Sequence, residues 1–238
     1  MRHVVLIPLV MAIAAGFAGA QAPFETDTFP TSTGDLRVTF IGHGTLMFQH
    51  AGKVVHVDPV SQYADYASLT KADIILVTHA HGDHLDPKAI EAVRKADTTL
   101  IGNGQSAAGT TGMTPMKNGD VLAAKGVRVE AVPAYNVVNT QFHPKGEGNG
   151  YVITFGDRRV YVAGDTEHIP EMAGLQKIDI AFLPMNLPFT MTPEAVAAAA
   201  KSFTPKVLYP YHSGSTDTSK LIALLAGSGI EVRIRNLR

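Results

Sequence analysis

Short apolar runs separated by polar turns occur along most of the chain, and many of these runs are rich in β-branched residues. Such runs predict β-strands, because β-branched and aromatic side chains fit the pleated backbone. The segment 73–78 is apolar almost throughout, which is typical of a strand buried on both faces. The predicted strands are 37–41, 53–57, 73–78, 98–101, 127–132, 151–155, 159–163, 178–183, 206–209 and 230–234.

Turn and cap residues lie between these strands. We expect Ala51-Gly52 to connect the first two strands as a pair, and Gly156-Asp157 to turn a later hairpin. Asp or Thr followed by Pro is a favourable helix start, because the side chain caps the free N–H groups and Pro needs no partner there. The predicted helices run from Asp86-Pro87 to Ala96, from Thr192-Pro193-Glu194 to Phe203, and over 218–226 before Gly227.

The order of these elements predicts an α/β fold of stacked sheets. The early strands follow one another as in hairpins, whereas the later strands alternate with helices, so we expect helices outside two sheets rather than a simple doubly wound sheet. Residues 21–36, which are rich in Thr, Pro and Ser, are expected to form a loose leader. No repeat or linker divides the remainder, which predicts a single domain over 37–238.

The composition indicates a globular chain without a nucleic-acid surface. Of 238 residues, 45% are hydrophobic and 17% are charged, and the formal net charge is -1, so no basic footprint for DNA or RNA is present. The chain has no Cys, which excludes disulfides, thiolate metal ligands, a Cys nucleophile and a lipidated Cys. The expected partner is a small-molecule substrate, and no oligomeric state is predicted.

Residues 1–20 have the pattern of a cleaved signal peptide. Arg2 precedes an apolar stretch over 4–17, and Ala18-Gly19-Ala20 fits the small-residue cleavage site, so Gln21 is the expected mature N-terminus. The alternative is a membrane anchor, for which the stretch is shorter than the ~20 apolar residues of a spanning helix. We therefore expect a periplasmic or secreted protein without a stable membrane anchor after cleavage.

A cluster of histidines directly follows the buried strand. His79, His81, Asp83 and His84 offer three imidazoles and a carboxylate, which are ligands for zinc, manganese or iron. At strand-like spacing His79 and His81 point to one side and can share an ion, whereas Asp83 and His84 follow the bend at Gly82 and can face a second ion. The alternative is a polar surface loop that caps the next helix.

Two further candidates stand at later strand ends. Asp165 lies in a Gly-Asp-Thr turn, where a plain turn aspartate is the ordinary interpretation. His212 follows a buried strand, as His79 does, and is either a metal ligand or a capping or core histidine.

The run at 79–84 has the form His-x-His-x-Asp-His, and on this motif the chain resembles the metallo-β-lactamase superfamily over nearly its whole mature length. The resemblance implies a four-layer αβ/βα sandwich with a two-metal site between the sheets, in which Asp165 bridges both ions and His212 binds the second. The details look most like small metal-dependent hydrolases related to ascorbate-phosphate lactonases and N-acyl-phospholipid phosphodiesterases. The segments that carry this resemblance are Gly42-His43-Gly44, Asp58-Pro59, Ala163-Gly164-Asp165-Thr166, Leu183-Pro184, Thr190-Met191-Thr192 and Tyr211-His212.

One ligand departs from the superfamily pattern. Many relatives carry a histidine directly after the strand that here ends at Pro133, where this chain has Ala134-Tyr135-Asn136. The next imidazole is His143, and we expect it to complete the shell of the first ion, because two histidines alone would leave that ion under-ligated. The alternative is a loop histidine, with the site using Asn136, water or a single metal.

Five residues are candidates for supporting roles. Asp58 could accept the second N–H of a ligand imidazole, or it is an Asp-Pro turn residue. His43, between two glycines, is a substrate contact or a loop residue. Tyr135, Asn136 and Asn186 are candidate hydrogen-bond donors to a developing oxyanion, or structural loop residues.

These residues predict hydrolysis by a metal-bound hydroxide that Asp83, as the catalytic residue, orients. Two divalent ions are expected, zinc in the first place, with manganese or iron as alternatives. The expected substrate is an ester, lactone, amide or phosphodiester, and β-lactamase activity is a further alternative. The rival interpretation is a non-catalytic metal-binding protein on the same fold.

Overall fold

Two mixed β-sheets pack face to face in the computed structural model, which describes residues 24–237. The first sheet contains, in chain order, β1 (Thr26–Thr31), β2 (Gly34–Gly42), β3 (Thr45–His50), β4 (Lys53–Val57), β5 (Ile74–Leu76), β6 (Thr99–Gly102) and β7 (Met113–Pro115). The second contains β8 (Val121–Ala124), β9 (Val127–Ala134), β10 (Gly148–Phe155), β11 (Arg158–Val162), β12 (Ile180–Pro184), β13 (Val207–Tyr211) and β14 (Glu231–Val232).

Helices cover the outer faces of both sheets, and their starts confirm the predicted caps. Asp86 accepts hydrogen bonds from two backbone N–H groups of the first turn of α1, and Thr192 accepts one at the start of α3. The helices are α1 (Pro87–Val93), α2 (Gly104–Gly109), α3 (Pro193–Phe203) and α4 (Lys220–Leu224), with 3₁₀ helices at Tyr66–Ser68 and Pro170–Gly174.

Alternation along the strands separates three apolar layers. In β12, Ile180 and Phe182 face the core between the sheets, whereas Ala181 and Leu183 face the opposite side, where α3 packs. On the first sheet, Ile75 faces outward into a cluster with the buried side of α1. The predicted four-layer αβ/βα sandwich is therefore confirmed.

The expectation of a loose leader is wrong for its second half. Residues Thr26–Thr31 form β1, which pairs with β2 in antiparallel fashion. The strand lies at the sheet edge and its side chains alternate between exposed and half-buried, so its polar Thr residues and Pro30 are tolerated there. The Thr- and Pro-rich composition predicted a loop, whereas hydrogen bonding to β2 makes this segment a strand.

The first predicted strand pair also needs correction. The strands at 37–41 and 53–57 exist as parts of β2 and β4, but β3 lies between them and pairs with both. Ala51-Gly52 consequently forms the turn between β3 and β4. The predicted hairpin of β10 and β11, with its turn at Gly156-Asp157, is confirmed. The short elements β7, β8 and α2 were not predicted.

The expected signal peptide, residues 1–20, lies outside the described residues. Between residues 24 and 237, no helix has both the length and the apolar composition that crossing a bilayer requires.

Candidate metal centre

The candidate ligands converge at one edge of the sandwich, where the carboxyl ends of several strands meet. The run at 79–84 follows β5, Asp165 follows β11, and His212 directly follows β13. Strands that run in the same direction end at the same edge of a sheet, so residues distant in sequence come together there. His143 arrives separately, from the long connection between β9 and β10.

Three histidines form the first ligand group. The nearest ring nitrogens of His79, His81 and His143 all lie within 4.8 Å of one another. His143 is buried, and its carbonyl accepts a 2.8 Å hydrogen bond from the Asn136 backbone N–H. Many relatives carry the third histidine directly after this strand, whereas His143 lies nine residues beyond the end of β9. The structure nevertheless brings His143 next to His79 and His81, as expected.

The second group is centred on the carboxylate of Asp83. Its Oδ2 lies 3.4 Å from His212 Nε2, 3.9 Å from His84 Nε2 and 3.3 Å from His43 Nε2. Ligand atoms of all four residues lie within 4.8 Å of one another. His43 therefore lines the centre, one of the two roles open for it from sequence.

Asp165 stands between the two groups. Its Oδ2 lies 3.3 Å from His143 Nε2 of the first group and 3.4 Å from His212 Nε2 of the second. Its Oδ1 lies 3.4 Å from His84 Nε2. A carboxylate in this place can serve cations in both groups at once.

The donor atoms fit a bound cation. His84 Nε2, His212 Nε2 and Asp165 Oδ1 are buried and make no hydrogen bond among the described residues. Buried polar atoms are nearly always satisfied, so unpaired atoms that face one another call for an ion. Imidazole nitrogens and carboxylate oxygens without sulfur suit zinc, manganese or iron.

The electrostatics of the centre also favour a cation. Burial raises the pKa of Asp165, but the neighbouring His212 and His84 outweigh this effect and hold the pKa well below its usual range. Burial lowers the pKa of His84, yet Asp165 and Asp58 together raise it well above its usual range. The carboxylates around His84 therefore favour positive charge at the centre, which a bound cation would supply.

The surroundings of His79 favour its neutral form, which is the form that a candidate metal ligand requires. Burial lowers the pKa of His79, and the neighbouring imidazoles, His84 first among them, lower it further. The pKa therefore lies well below its usual range, and the ring offers a lone pair at neutral pH.

Asp58 supports the centre from behind. This fully buried carboxylate accepts hydrogen bonds from the Thr78 backbone N–H at 2.8 Å and from the Thr78 hydroxyl at 2.7 Å. It also lies 2.8 Å from His84 Nδ1, which can donate to it. The predicted contact with a ligand imidazole is present, and it turns His84 Nε2 toward the cavity.

Backbone strain concentrates at the same edge. His43, Asp58 and His212 adopt φ values of 52°, 46° and 47°, a left-handed conformation that is uncommon for residues with a Cβ. Gly44 packs against a ligand ring, because a Cβ there would stand 2.9 Å from His84 Cε1. The local backbone is therefore shaped around the histidines.

Two of the candidate oxyanion donors, Tyr135 and Asn136, donate to groups of the protein itself, which favours their alternative role as structural loop residues. The Tyr135 hydroxyl donates to Glu171 at 2.9 Å, and the Asn136 amide donates to the carbonyl of Phe189 at 2.8 Å. Both side chains are buried in the loop that carries His143. Asn186 does line the cavity, with its amide nitrogen 3.4 Å from His212 Nδ1.

Sequence reasoning missed the carboxylates that fix the His143 loop. Glu167 accepts hydrogen bonds from the backbone N–H groups of Val137, Val138 and Asn139, at 2.8, 2.7 and 3.1 Å. Glu171 accepts hydrogen bonds from Tyr135 and pairs with Lys145 at 3.1 Å. No local pattern marks these residues; only the nearness of Glu167 to Asp165 in sequence hints at its place.

The chain is similar to known hydrolases over most of its length. A family model described as a Beta-lactamase superfamily domain matches residues 37–212. A UPF0173 metal-dependent hydrolase of Methanopyrus kandleri is 30% identical over 196 residues, which cover 76% of this chain and 85% of that one.

Solved structures agree with this relationship. A protein from Parabacteroides distasonis, described as a metal-dependent hydrolase, superposes with a TM-score of 0.89 at 52% identity, covering 90% of this chain and 100% of that one. A protein from Thermotoga maritima, described as a zinc-dependent hydrolase of the metallo-β-lactamase superfamily, shares the fold, with a TM-score of 0.59 at 17% identity over 84% of this chain and 97% of that one. With its ligand motif at one edge of a four-layer sandwich, the chain belongs to the metallo-β-lactamase superfamily and is a metal-dependent hydrolase.

Proposed function

We propose that the centre holds two divalent ions and hydrolyses a small ester, lactone, amide or phosphodiester. His79, His81 and His143 would hold the first ion, and Asp83, His84 and His212 the second. The position of Asp165, within 3.4 Å of histidines in both groups, carries this proposal, because a shared carboxylate is what a two-metal site needs. Zinc is the first candidate, and manganese and iron fit the same ligands.

The bound ions would supply a water nucleophile at neutral pH and stabilise charge on the substrate. Asp83 would orient the attacking water, because its carboxylate opens into a cavity of about 250 Å³ and is held by His43 and His212. Burial raises the pKa of Asp83, but the neighbouring imidazoles of His212 and His43 outweigh this effect and hold it well below its usual range, so the carboxylate stays ionised as an acceptor. Asn186, on the wall of this cavity, would donate a hydrogen bond to the substrate.

A substrate panel on metal-loaded protein tests this proposal. The chain is loaded in turn with zinc, manganese and iron, its metal content is measured by mass spectrometry, and a chromogenic ester, lactone, lactam and phosphodiester are offered. We expect two ions per chain and turnover of at least one substrate class, abolished by chelation and by Asp165→Asn. Asp179→Asn, a buried carboxylate remote from the centre, is the matched control and should retain activity. Bound metal without any turnover would favour the non-catalytic alternative.

We further propose that the chain is exported and cleaved after residue 20. Arg2, the apolar stretch that follows and Ala18-Gly19-Ala20 support this proposal. Expression of the full chain in a bacterial host should yield a periplasmic or secreted protein that begins at Gln21, whereas Ala20→Arg should block cleavage. A wild-type chain that keeps its first residues and stays in the cytoplasm would contradict export.

A further inference from the structure

Large apolar side chains are exposed beside the metal centre. In the part of the chain that the structure describes, six large hydrophobic side chains are strongly exposed. Four of them lie on two loops at this edge: Val137 and Val138 after β9, and Leu187 and Phe189 after β12. Val138 is 79% exposed. Exposed apolar groups scattered singly are ordinary, but a concentration at one site marks a binding surface.

These side chains are held in place by their backbone. The Glu167 carboxylate fixes the N–H groups of Val137 and Val138. The Asn136 amide donates to the Phe189 carbonyl, and the Asn139 amide donates to the Pro188 carbonyl at 3.0 Å. The two loops are therefore tied to one another, and their apolar side chains are presented in a fixed arrangement that loses little entropy on binding.

One of these four side chains, Phe189, also lines the cavity of the centre. The rings of Phe142 and Phe189 meet edge to face with centroids 4.9 Å apart. Both rings line the same cavity of about 250 Å³ as the ligands of the centre, namely His81, Asp83, His143, Asp165 and His212. A molecule at the centre would therefore contact apolar surface on its way out.

Cationic side chains are missing from this surface. Within residues 24–237, neither of the two cavities that contain metal-ligand candidates is lined by Lys or Arg. Lys145, in the loop that carries His143, is bound by Glu171 and by the Tyr135 hydroxyl. A phosphate group would thus have only the bound ions to offset its charge in these cavities, whereas an uncharged carbonyl needs no cationic side chain.

We propose that an apolar rim, formed by Val137, Val138, Phe142, Leu187 and Phe189, binds an alkyl or aryl substituent of the substrate. The hydrolysed group would then be an uncharged ester, lactone or amide that carries an apolar chain of several carbons. This inference rests on the proposed two-metal hydrolase, and it names the substrate class of the same centre. Among the four classes proposed above, it disfavours the phosphodiester.

Chain-length dependence of binding tests the rim without measuring turnover. The full chain loaded with zinc is titrated calorimetrically with straight-chain alkyl hydroxamates from two to eight carbons, whose head group binds zinc. In the wild type, the Kd should fall about two- to threefold for each added methylene, because each is partly removed from water. Val138→Ser and Phe189→Ser should flatten this dependence, so that the Kd values of the two-carbon and eight-carbon compounds move closer together than in the wild type.

Ile222→Ser is the matched control, because Ile222 is 54% exposed but lies on α4 and lines neither cavity of the centre. It should keep the wild-type dependence. A wild-type Kd that does not change with chain length would contradict the proposed binding role of the rim. Equal flattening in the control variant would contradict it as well.

Failure of the metal centre itself would look different. In that case the two-carbon hydroxamate would not bind to any variant, and the rim is then tested with octanol by methyl NMR. Shifts of the Val137, Val138 and Leu187 methyl signals would support the rim, and their absence would overturn it.

Discussion

At the scale of single residues, the ligand histidines depend on carboxylates that do not themselves reach the cavity. Asp58 touches His84 through the nitrogen that faces away from the centre, and it is held there by Thr78. A ligand ring without such a partner can rotate and change tautomer, which weakens its bond to the ion. The buried carboxylate therefore belongs to the function as much as the ligands do.

Replacing Asp58 with Asn is expected to weaken the binding of the second ion and to leave the binding of the first ion unchanged. The amide keeps one acceptor oxygen but loses the charge that stabilises the His84 N–H, so the affinity for this ion should fall by about 10- to 100-fold. Titration with a competing chelator, monitored by metal release, should show one of two ions leaving earlier. Asp179→Asn should release both ions as the wild type does, and an unchanged release profile in Asp58→Asn would contradict the assignment.

Most of the ligand set could be predicted at this scale because short-range spacing determines it. His79, His81, Asp83 and His84 lie within six positions after a buried strand, so their convergence needs no long-range information. Asp165 needed the family resemblance, because a plain turn aspartate has the same local sequence, whereas the position of His212 after a buried strand already favoured a ligand. For Tyr135 and Asn136, the sequence left a donor role and a structural loop role open, because it shows donor groups but not the direction in which they point.

At the scale of elements, the connection between β9 and β10 determines where His143 lies relative to the other candidate ligands. This segment spans residues 135–147 without regular structure, and it brings His143 under the centre because Glu167 and Glu171 hold it at two points. Loops normally gain such anchors from distant residues, so their course does not follow from their own sequence.

Replacing Glu167 with Gln should weaken the binding of the first ion and leave the binding of the second ion unaffected. One carboxylate oxygen becomes an NH₂ group that faces backbone N–H donors, so the loop loses its anchor and His143 its fixed position. The affinity for the first ion should fall by about 10- to 100-fold in the same chelator titration. Glu91→Gln, on the exposed face of α1, is the matched control and should bind both ions as the wild type does. Loss of both ions together would show that the loop acts on the whole fold instead.

Two of the strands missed from sequence, β1 and β3, gain their stability from neighbouring strands. β1 is polar and lies at an edge, and β3 lies between two more obviously β-branched runs. β1 pairs with β2, and β3 pairs with both β2 and β4, so tertiary pairing outweighs their weak local preference.

At the scale of the whole molecule, buried histidines make stability sensitive to acid. His56 is fully buried on the outer face of the first sheet, and burial lowers its pKa to about 4, although a hydrogen bond to the Thr70 carbonyl raises it. In the unfolded chain the His56 imidazole has a pKa near 6.5. Above that pH the imidazole is neutral in both states, so the titration of His56 does not reduce the unfolding free energy there. The contribution of His56 to the unfolding free energy should fall as the pH drops from 6.5 to 4, by on the order of 3 kcal/mol in total.

The variant His56→Gln should flatten this part of the pH dependence. Glutamine can still donate to the Thr70 carbonyl but does not titrate. Urea unfolding of metal-free protein between pH 7.5 and pH 4 should therefore show a smaller loss of unfolding free energy in the variant than in the wild type. Comparing two metal-free proteins cancels the titration of the ligand residues, and parallel curves would show that His56 is protonated in the folded state.

Each sheet is built from one contiguous half of the chain, and this division separates the ligands as well. Residues up to 115 supply the run at 79–84, and residues from 121 supply His143, Asp165 and His212. Neither half by itself offers a complete shell, so the ion is captured only when the halves close on one another. We expect the choice among zinc, manganese and iron to depend on which ion is abundant where the protein folds. If export precedes folding, the first twenty residues select not only the destination of the enzyme but also its metal.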